Sequence, residues 1–334
     1  MAYVKKPKFS YSKLNTYESC GWKYNLIYNQ GHYIFSDSLA SELGTLIHWI
    51  EENIARALLA GEKPDYEKLK NDLYTLNIPK TSAFDKGTGV YGVNILKEKY
   101  KEEFYRVDDG GSSYYTKIMD YASYGIYRLE QYLLKNPALR IYDMEKFFSV
   151  EYGGNIFSGY IDRIFYNTET DSYIIEDIKT KGKPFKDTEL TTPMQFVIYT
   201  YALATTLSIP YDKISCCYDL PLCDLRQPAG TKGYMSRGIK KLDQDFEGID
   251  KKVFVPSPTP LCAWCQFSPT NPEQKEEGKL LCPYYSLWTR ENKTQEVAHE
   301  WRGIEGHEHI MELEKQKLAN QVKEIEPEEF DFDF

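Results

Sequence analysis

Glu145-Lys-Phe-Phe-Ser-Val-Glu-Tyr152, Gly153-Gly154, Asn155-Ile-Phe-Ser-Gly-Tyr-Ile-Asp-Arg-Ile-Phe-Tyr166 and Ser172-Tyr-Ile-Ile-Glu-Asp-Ile-Lys179 are the segments on which the fold turns. The first two are rich in aromatic and β-branched residues and flank a Gly-Gly pair, the pattern of a tight hairpin. The polar loop Thr168-Glu169-Thr170-Asp171 then returns the chain into a third strand. With that loop closed by Asn167 facing Ser172, antiparallel pairing carries Asp162 opposite Asp177. Facing side chains sit ~4.5–5.5 Å apart at Cβ, where two ionised carboxylates repel unless something positive lies between them.

A divalent metal answers that repulsion. Lys179, two residues beyond Asp177, projects from the same side of its strand. Two carboxylates and a lysine at one point suit phosphodiester hydrolysis, with the metal acting on phosphate and water and the lysine stabilising charge. Charged hairpins on protein surfaces are common and need no catalytic explanation. Here, however, the neighbours Ile161, Ile164, Ile174, Ile175 and Ile178 describe a buried sheet, in which charges are rarely left unpaired.

Outward from this core, the N-terminal third reads as helical over 10–28 and 37–60, with weaker stretches near 65–75 and 92–105 and a further helix over 114–135 ending at Asn136-Pro137. Leu39, Leu43, Leu46, Ile47, Ile50 and Ile54 recur at helical spacing. After the three strands, a helix over 192–207 and a strand over 213–220 complete an α-β-β-β-α-β order, and 224–260 reads as mixed, punctuated by Gly and Pro. A last helix is expected over about 294–323. The fold class is α/β, a mixed central sheet flanked by helices.

With 334 residues, 42% apolar and 15% aromatic, the chain can bury a large core. No stretch approaches the ~20 apolar residues of a membrane span and the first residues lack a signal-peptide core, so a soluble, cytoplasmic protein is expected. The net charge of −9 is concentrated in the acidic end beyond Lys323, which leaves a mildly acidic body able to carry a local basic groove. Gly233 to Gly238 has P-loop-like glycine spacing, but Ile239 stands where a P-loop needs lysine, which argues against an NTP-driven helicase.

Seven cysteines in a chain without export signals point to metal-bound or buried thiols rather than disulfides. Cys262 and Cys265 form a C-x-x-C unit, with Cys282 downstream and Cys20 far upstream, and four thiolates satisfy either Zn²⁺ or an iron–sulfur cluster. Cys216 and Cys217, in the expected final strand, read as buried structural thiols.

Taken together, Gly159-Tyr-Ile-Asp-Arg-Ile164, Asp177-Ile-Lys-Thr180, Gln195 with Tyr199, and the upstream Gly44-Thr-Leu-Ile-His48 resemble the RecB-like branch of the PD-(D/E)xK nucleases, over most of residues 10–285. The resemblance implies that His48, Asp162 and Asp177, with the backbone carbonyl of Ile178, ligate Mg²⁺ or Mn²⁺. Lys179 would be the catalytic lysine, and Gln195 and Tyr199 would contact the DNA backbone or scissile phosphate. It further implies a [4Fe-4S] cluster on Cys20, Cys262, Cys265 and Cys282, as in AddB-type and CRISPR-adaptation nucleases, although Gly21 stands where that branch usually has proline.

The domain expectation follows: a nuclease domain over 1–290 closed by the cluster, with a helical insertion at about 60–140, a C-terminal helix over 291–323 and an acidic disordered tail over 324–334. The expected activity is that of an exonuclease or end- and flap-processing nuclease in DNA recombination, repair or replication. By analogy the chain could be phage-encoded and act in the host cytoplasm. A helicase, recombinase or single-stranded-DNA-binding protein is the expected partner. The competing expectation is a catalytically weak nucleic-acid-binding or assembly subunit that keeps the nuclease fold.

Overall fold

The computed structural model describes residues 7–32, 37–79, 89–108, 110–257, 259, 262, 265–267 and 282. The expected C-terminal helix and the acidic tail lie outside the described residues.

In chain order the elements are β1 (Lys8–Phe9), α1 (Tyr11–Ser19), α2 (Gly21–Tyr24), α3 (Leu39–Leu59), α4 (Tyr66–Thr75), β2 (Asn77–Ile78), β3 (Val90–Tyr91), α5 (Val93–Lys99), α6 (Lys101–Tyr105), α7 (Tyr114–Ser123), α8 (Arg128–Lys135), β4 (Leu139–Tyr152), β5 (Asn155–Asn167), β6 (Ser172–Ile178), α9 (Asp187–Thr191), α10 (Met194–Leu207), β7 (Ile214–Leu220), β8 (Leu225–Ala229) and α11 (Tyr234–Asp250). A π-helical turn, Asn25–Asn29, follows α2. The chain divides into two compact units, one of Met1–Tyr11 with Asp37–Leu242 and the other of Ser12–Ser36 with Asp243–Phe334.

The first unit is built on the expected hairpins. β4 and β5 pair antiparallel along their length, β5 and β6 pair antiparallel from Asn167↔Ser172 to Arg163↔Glu176, and β6 and β7 run parallel, joined through α10. β8 adds antiparallel to β7, and β1 adds parallel to the start of β5. A mixed sheet thus forms, as the residue pattern requires, and the rung beyond Arg163↔Glu176 brings Asp162 towards Asp177. The apolar residues of α3 pack with α4, α5, α7, α8 and the outer part of β4 around Leu46, Ile50, Phe104, Ile118 and Phe165. A buried stripe of this kind is what an amphipathic helix must cover against a sheet.

Several elements depart from the sequence expectation, among them the helix expected over 10–28, which breaks at Cys20, the N-cap of α2, and runs into the π-helical turn. β4 begins at Leu139, earlier than Glu145, because a register shift between Ile141 and Asp143 breaks the simple alternation. The expected helix over 114–135 is interrupted by a 3₁₀ turn at Gly125–Tyr127, where a side chain on Gly125 would strike the Tyr121 ring. The expected helix over 92–105 divides at Tyr100. The mixed stretch contains α11, whose apolar positions Met235, Leu242 and Phe246 are buried despite the glycines at 238 and 248.

In the second unit, α1 and α2 meet the segment after α11. The Tyr17 hydroxyl donates to the Val253 carbonyl at 2.9 Å and Tyr24 stacks on Phe254. A Cβ on Gly21 would lie 2.8 Å from the backbone nitrogen of Val255, which explains why this position carries no side chain.

Candidate active site

His48 is presented by α3, whose start is fixed by the Ser38 hydroxyl accepting from the Ser41 amide. Gly44, one turn before the histidine, lets Thr180 approach, its Oγ1 lying 3.2 Å from where a Cβ would stand. His48 Nε2 then lies 3.0 Å from the Ile178 carbonyl and Nδ1 lies 3.8 Å from Asp162 Oδ2. With Nε2–H donating to that carbonyl, Nδ1 keeps its lone pair beside the carboxylate. Burial lowers the proton affinity of the imidazole, more than the Asp177 charge raises it, which keeps it neutral and able to ligate.

Asp162 Oδ2 accepts from the Ile178 amide at 2.7 Å, so the aspartate closes the end of the β5–β6 ladder. On β6, Asp177 is buried and pairs with Lys179 Nζ at 2.5 Å, as expected for residues two apart on one strand. The backbone of Lys179 is itself held by its amide donating to the Asp219 carbonyl at 2.8 Å. From α10, Gln195 Nε2 donates to Asp177 Oδ1 at 2.6 Å and to the Tyr199 hydroxyl at 2.9 Å. Gln195 and Tyr199 are buried, with their polar ends turned to each other and to Asp177.

Sequence reasoning missed Glu145. Pairing continues on either side of it, Met144↔Arg163 and Lys146↔Ile161, which sets Glu145 opposite Asp162. Its φ of +44° is left-handed, a conformation that costs a non-glycine residue of order 1–3 kcal/mol and persists where surrounding structure imposes it. The side chain offers an oxygen that, with one atom each from His48 and Asp162, forms a group of donors all within 4.8 Å of one another. Burial and the Asp162 charge push the Glu145 carboxyl up to about 7. Asp177 rises to about 7 through burial first and Asp162 second, and burial raises Asp162 as well.

These are residues suited to a hard divalent cation. Carboxylates that resist ionisation because they are buried together gain most from a positive charge among them. The donors are two carboxylates, an imidazole and a backbone carbonyl, the oxygen-rich set that Mg²⁺ and Mn²⁺ take.

Behind the site lies a buried ionic cluster. Arg163 reaches Glu176 at 2.8 Å, Asp219 at 3.4 Å and Glu51 at 3.5 Å. Arg128 pairs with Asp219 and Arg226 with Glu176, each at 2.8 Å. Its members sit beside the site residues in sequence, Arg163 next to Asp162, Glu176 next to Asp177, and Glu51 one helical turn from His48.

In the second unit, Cys20, Cys265 and Cys282 pack against Trp22, Leu26, Ile27 and Phe267. Cys20 Sγ accepts from the Lys23 amide at 3.5 Å and Cys262 Sγ from the Thr259 amide at 3.3 Å, while the Cys265 amide donates to the Cys262 carbonyl. Cys216 lies elsewhere, buried under Thr200 and Tyr234, and burial pushes its thiol up to about 11.

The family profile of the PD-(D/E)XK nuclease superfamily matches residues 8–270. The chain belongs to the PD-(D/E)XK nuclease superfamily. Among solved structures, a Eubacterium rectale protein provisionally designated an exonuclease is 11% identical, with 81% of this chain and 94% of that one covered, at a TM-score of 0.41. SSO0001 is 14% identical, with 75% and 95% covered, at a TM-score of 0.24. Comparison with curated proteins gives no match. Membership rests on the sequence profile, whose span includes His48, Glu145, Asp162, Asp177 and Lys179. PD-(D/E)XK nucleases use divalent metals, in keeping with the donors that β4, β5 and α3 bring together. Among the described residues, no helix is long and apolar enough to cross a membrane.

Proposed function

We propose that the chain is a Mg²⁺- or Mn²⁺-dependent deoxyribonuclease of the RecB-like branch, acting on DNA ends or flaps in recombination, repair or replication. The observation that carries this reading is the donor group of His48, Glu145 and Asp162 beside the Asp177–Lys179 pair. His48, Glu145, Asp162 and the Ile178 carbonyl would hold the ion, with Asp177 adjoining. The ion, when bound, polarises the scissile phosphate and acidifies a water.

The chain supplies the rest. Lys179 carries its charge on the rim of the site, where it steadies the phosphate oxygens as water adds to phosphorus and the bond to the leaving oxygen breaks. Gln195, with Tyr199 behind it, holds Asp177 in one rotamer so that this carboxylate and the lysine keep a fixed relation. His48 stays neutral and its ring is pinned by the Ile178 carbonyl.

The same reading assigns a [4Fe-4S] cluster to Cys20, Cys262, Cys265 and Cys282, with Zn²⁺ as the alternative occupant. Support comes from the shared apolar packing of three of these cysteines and from the amide donors at two of the sulfurs. Anaerobic purification with an absorbance scan, followed by digestion of end-labelled DNA, tests both halves. A brown protein that cuts only with Mg²⁺ or Mn²⁺, and whose Lys179→Ala variant does not cut, is the expected result. Cutting that survives Lys179→Ala or ignores chelation would overturn the nuclease assignment, and a colourless protein carrying zinc would overturn the cluster.

A further inference from the structure

Beyond the Glu145–Asp162 rung, the β4–β5 hairpin continues through Lys146↔Ile161 to Phe147↔Tyr160, Phe148↔Gly159 and Ser149↔Ser158. No residue of β5 between Tyr160 and Asp162 has a left-handed backbone. The pleat therefore sends both side chains to one side, about 7 Å apart along the strand. Phe147 joins that side because its ring meets the Tyr160 ring, with centroids 5.3 Å apart and planes tilted by 57°. The next rung on this side carries two hydroxyls, Ser149 and Ser158. Outward from the metal donors, one face thus presents an acid pair, a ring pair and a hydroxyl pair.

The ring pair is poorly covered: Phe147 is 54% and Tyr160 is 56% exposed. A cross-strand aromatic pair adds only about 0.2–1 kcal/mol to a hairpin and does so wherever it sits, so stability alone does not explain its place next to the metal rung. Nucleobases stack on such rings without regard to sequence, but a base inside an intact duplex already has both faces occupied. The small hydroxyls beyond the rings can hydrogen-bond phosphate or sugar without reading sequence.

We propose that Phe147 and Tyr160 form a stacking platform for an unpaired base of the strand being cut, which makes single-stranded or frayed DNA the favoured substrate. This rests on the nuclease reading above and adds the substrate class to it. An apolar side chain of a protein partner is the competing occupant.

The test measures binding of the full-length Lys179→Ala protein to an end-labelled oligothymidylate and to a blunt hairpin duplex, by fluorescence anisotropy with Mg²⁺ present. Phe147→Ala and Tyr160→Ala are compared in that background, singly and together, with Tyr160→Phe as the ring-retaining control. The oligonucleotide also carries a single abasic site at successive positions. Each alanine variant is expected to lose about tenfold in single-strand affinity, within the range known for base–aromatic stacking, and to bind the duplex almost unchanged. Tyr160→Phe should bind as well as the parent. One abasic position should weaken the parent, and that weakening should vanish in the double variant.

Full affinity in the double variant, equal losses on both substrates, or an abasic penalty that persists without the rings would each overturn the platform. If wild-type protein still cuts DNA in that event, the nuclease reading stands and only the platform falls. If wild type neither binds nor cuts DNA, both fall, and the exposed rings are left to a protein partner.

Discussion

At Lys179 the chain places a cation 2.5 Å from a buried carboxylate, and loss of that charge should be felt in chemistry more than in folding. Lys179→Ala is expected to cut DNA at least about a hundredfold more slowly, the scale seen when one stabilising donor is removed from a transition state. Single-turnover digestion at saturating Mg²⁺ checks it. Glu145 makes a different demand. Glu145 and Asp177 are pushed up to about 7 by burial and by Asp162, so between about pH 4, the ordinary carboxylate range, and that value the metal-free protein holds protons that its unfolded chain has already released. Raising the pH through 7 therefore removes stability from the metal-free protein, because the folded state must give up protons it binds more tightly than the unfolded state does. A divalent ion held by these carboxylates would take the place of those protons. Melting curves should show a larger Mg²⁺-induced rise in Tm at pH 8 than at pH 6, and Glu145→Gln should shrink the difference. An identical rise at both pH values would remove Glu145 and Asp177 from the metal-linked group. That Asp162 lies towards Asp177, with Lys179 close by, was legible in the sequence because hairpin register fixes who faces whom. Glu145 was not, since nothing in a lone strand glutamate announces a left-handed backbone.

Among the elements, the buried ionic cluster ties α3, β5, β6 and β7 together through Glu51, Arg163, Glu176 and Asp219. Removing one partner from such a set leaves charges uncompensated in the interior. Arg163→Met should thus cost about 3–5 kcal/mol, read from urea unfolding of the metal-free protein, and should weaken Mg²⁺ activation as Asp162 and His48 lose their fixed spacing. Pairings between residues this far apart in sequence cannot be read from periodicity, and Arg163 looked only like part of a motif. α11 escaped for a simpler reason: Gly238 and Gly248 read as breaks, whereas they mark close approach, to Val197 in one case and to the Tyr17 hydroxyl in the other. Gly21 has the same role against the Phe254–Val255 backbone. Gly21→Ala should destabilise the protein by about 1–3 kcal/mol, as overpacking does, measured by thermal melting.

For the whole molecule, the three strands made the α/β class plain, because a four-residue polar loop and a Gly-Gly turn leave few ways to pair 145–179. The C-x-x-C unit at Cys262 and Cys265 is conspicuous in the sequence. Folding then brings Cys20 to the same small apolar cluster as Cys265 and Cys282. The proposed cluster on these cysteines would close a loop of more than two hundred residues between Cys20 and Cys262 and so restrict the unfolded chain. Cys20→Ala and Cys262→Ala should accordingly lower soluble yield and Tm together with activity, and a stable, fully active variant would speak against the tether. The division into two units gives this some shape, because His48, Glu145, Asp162 and Lys179 fall in one unit and the four cysteines in the other. The most direct test of the central claim is an anomalous difference map from a crystal soaked in Mn²⁺. A single strong peak bounded by His48, Glu145 and Asp162, beside the Ile178 carbonyl, is the result expected. A map without a peak there at saturating Mn²⁺, from protein that still cuts DNA with that ion, would contradict it.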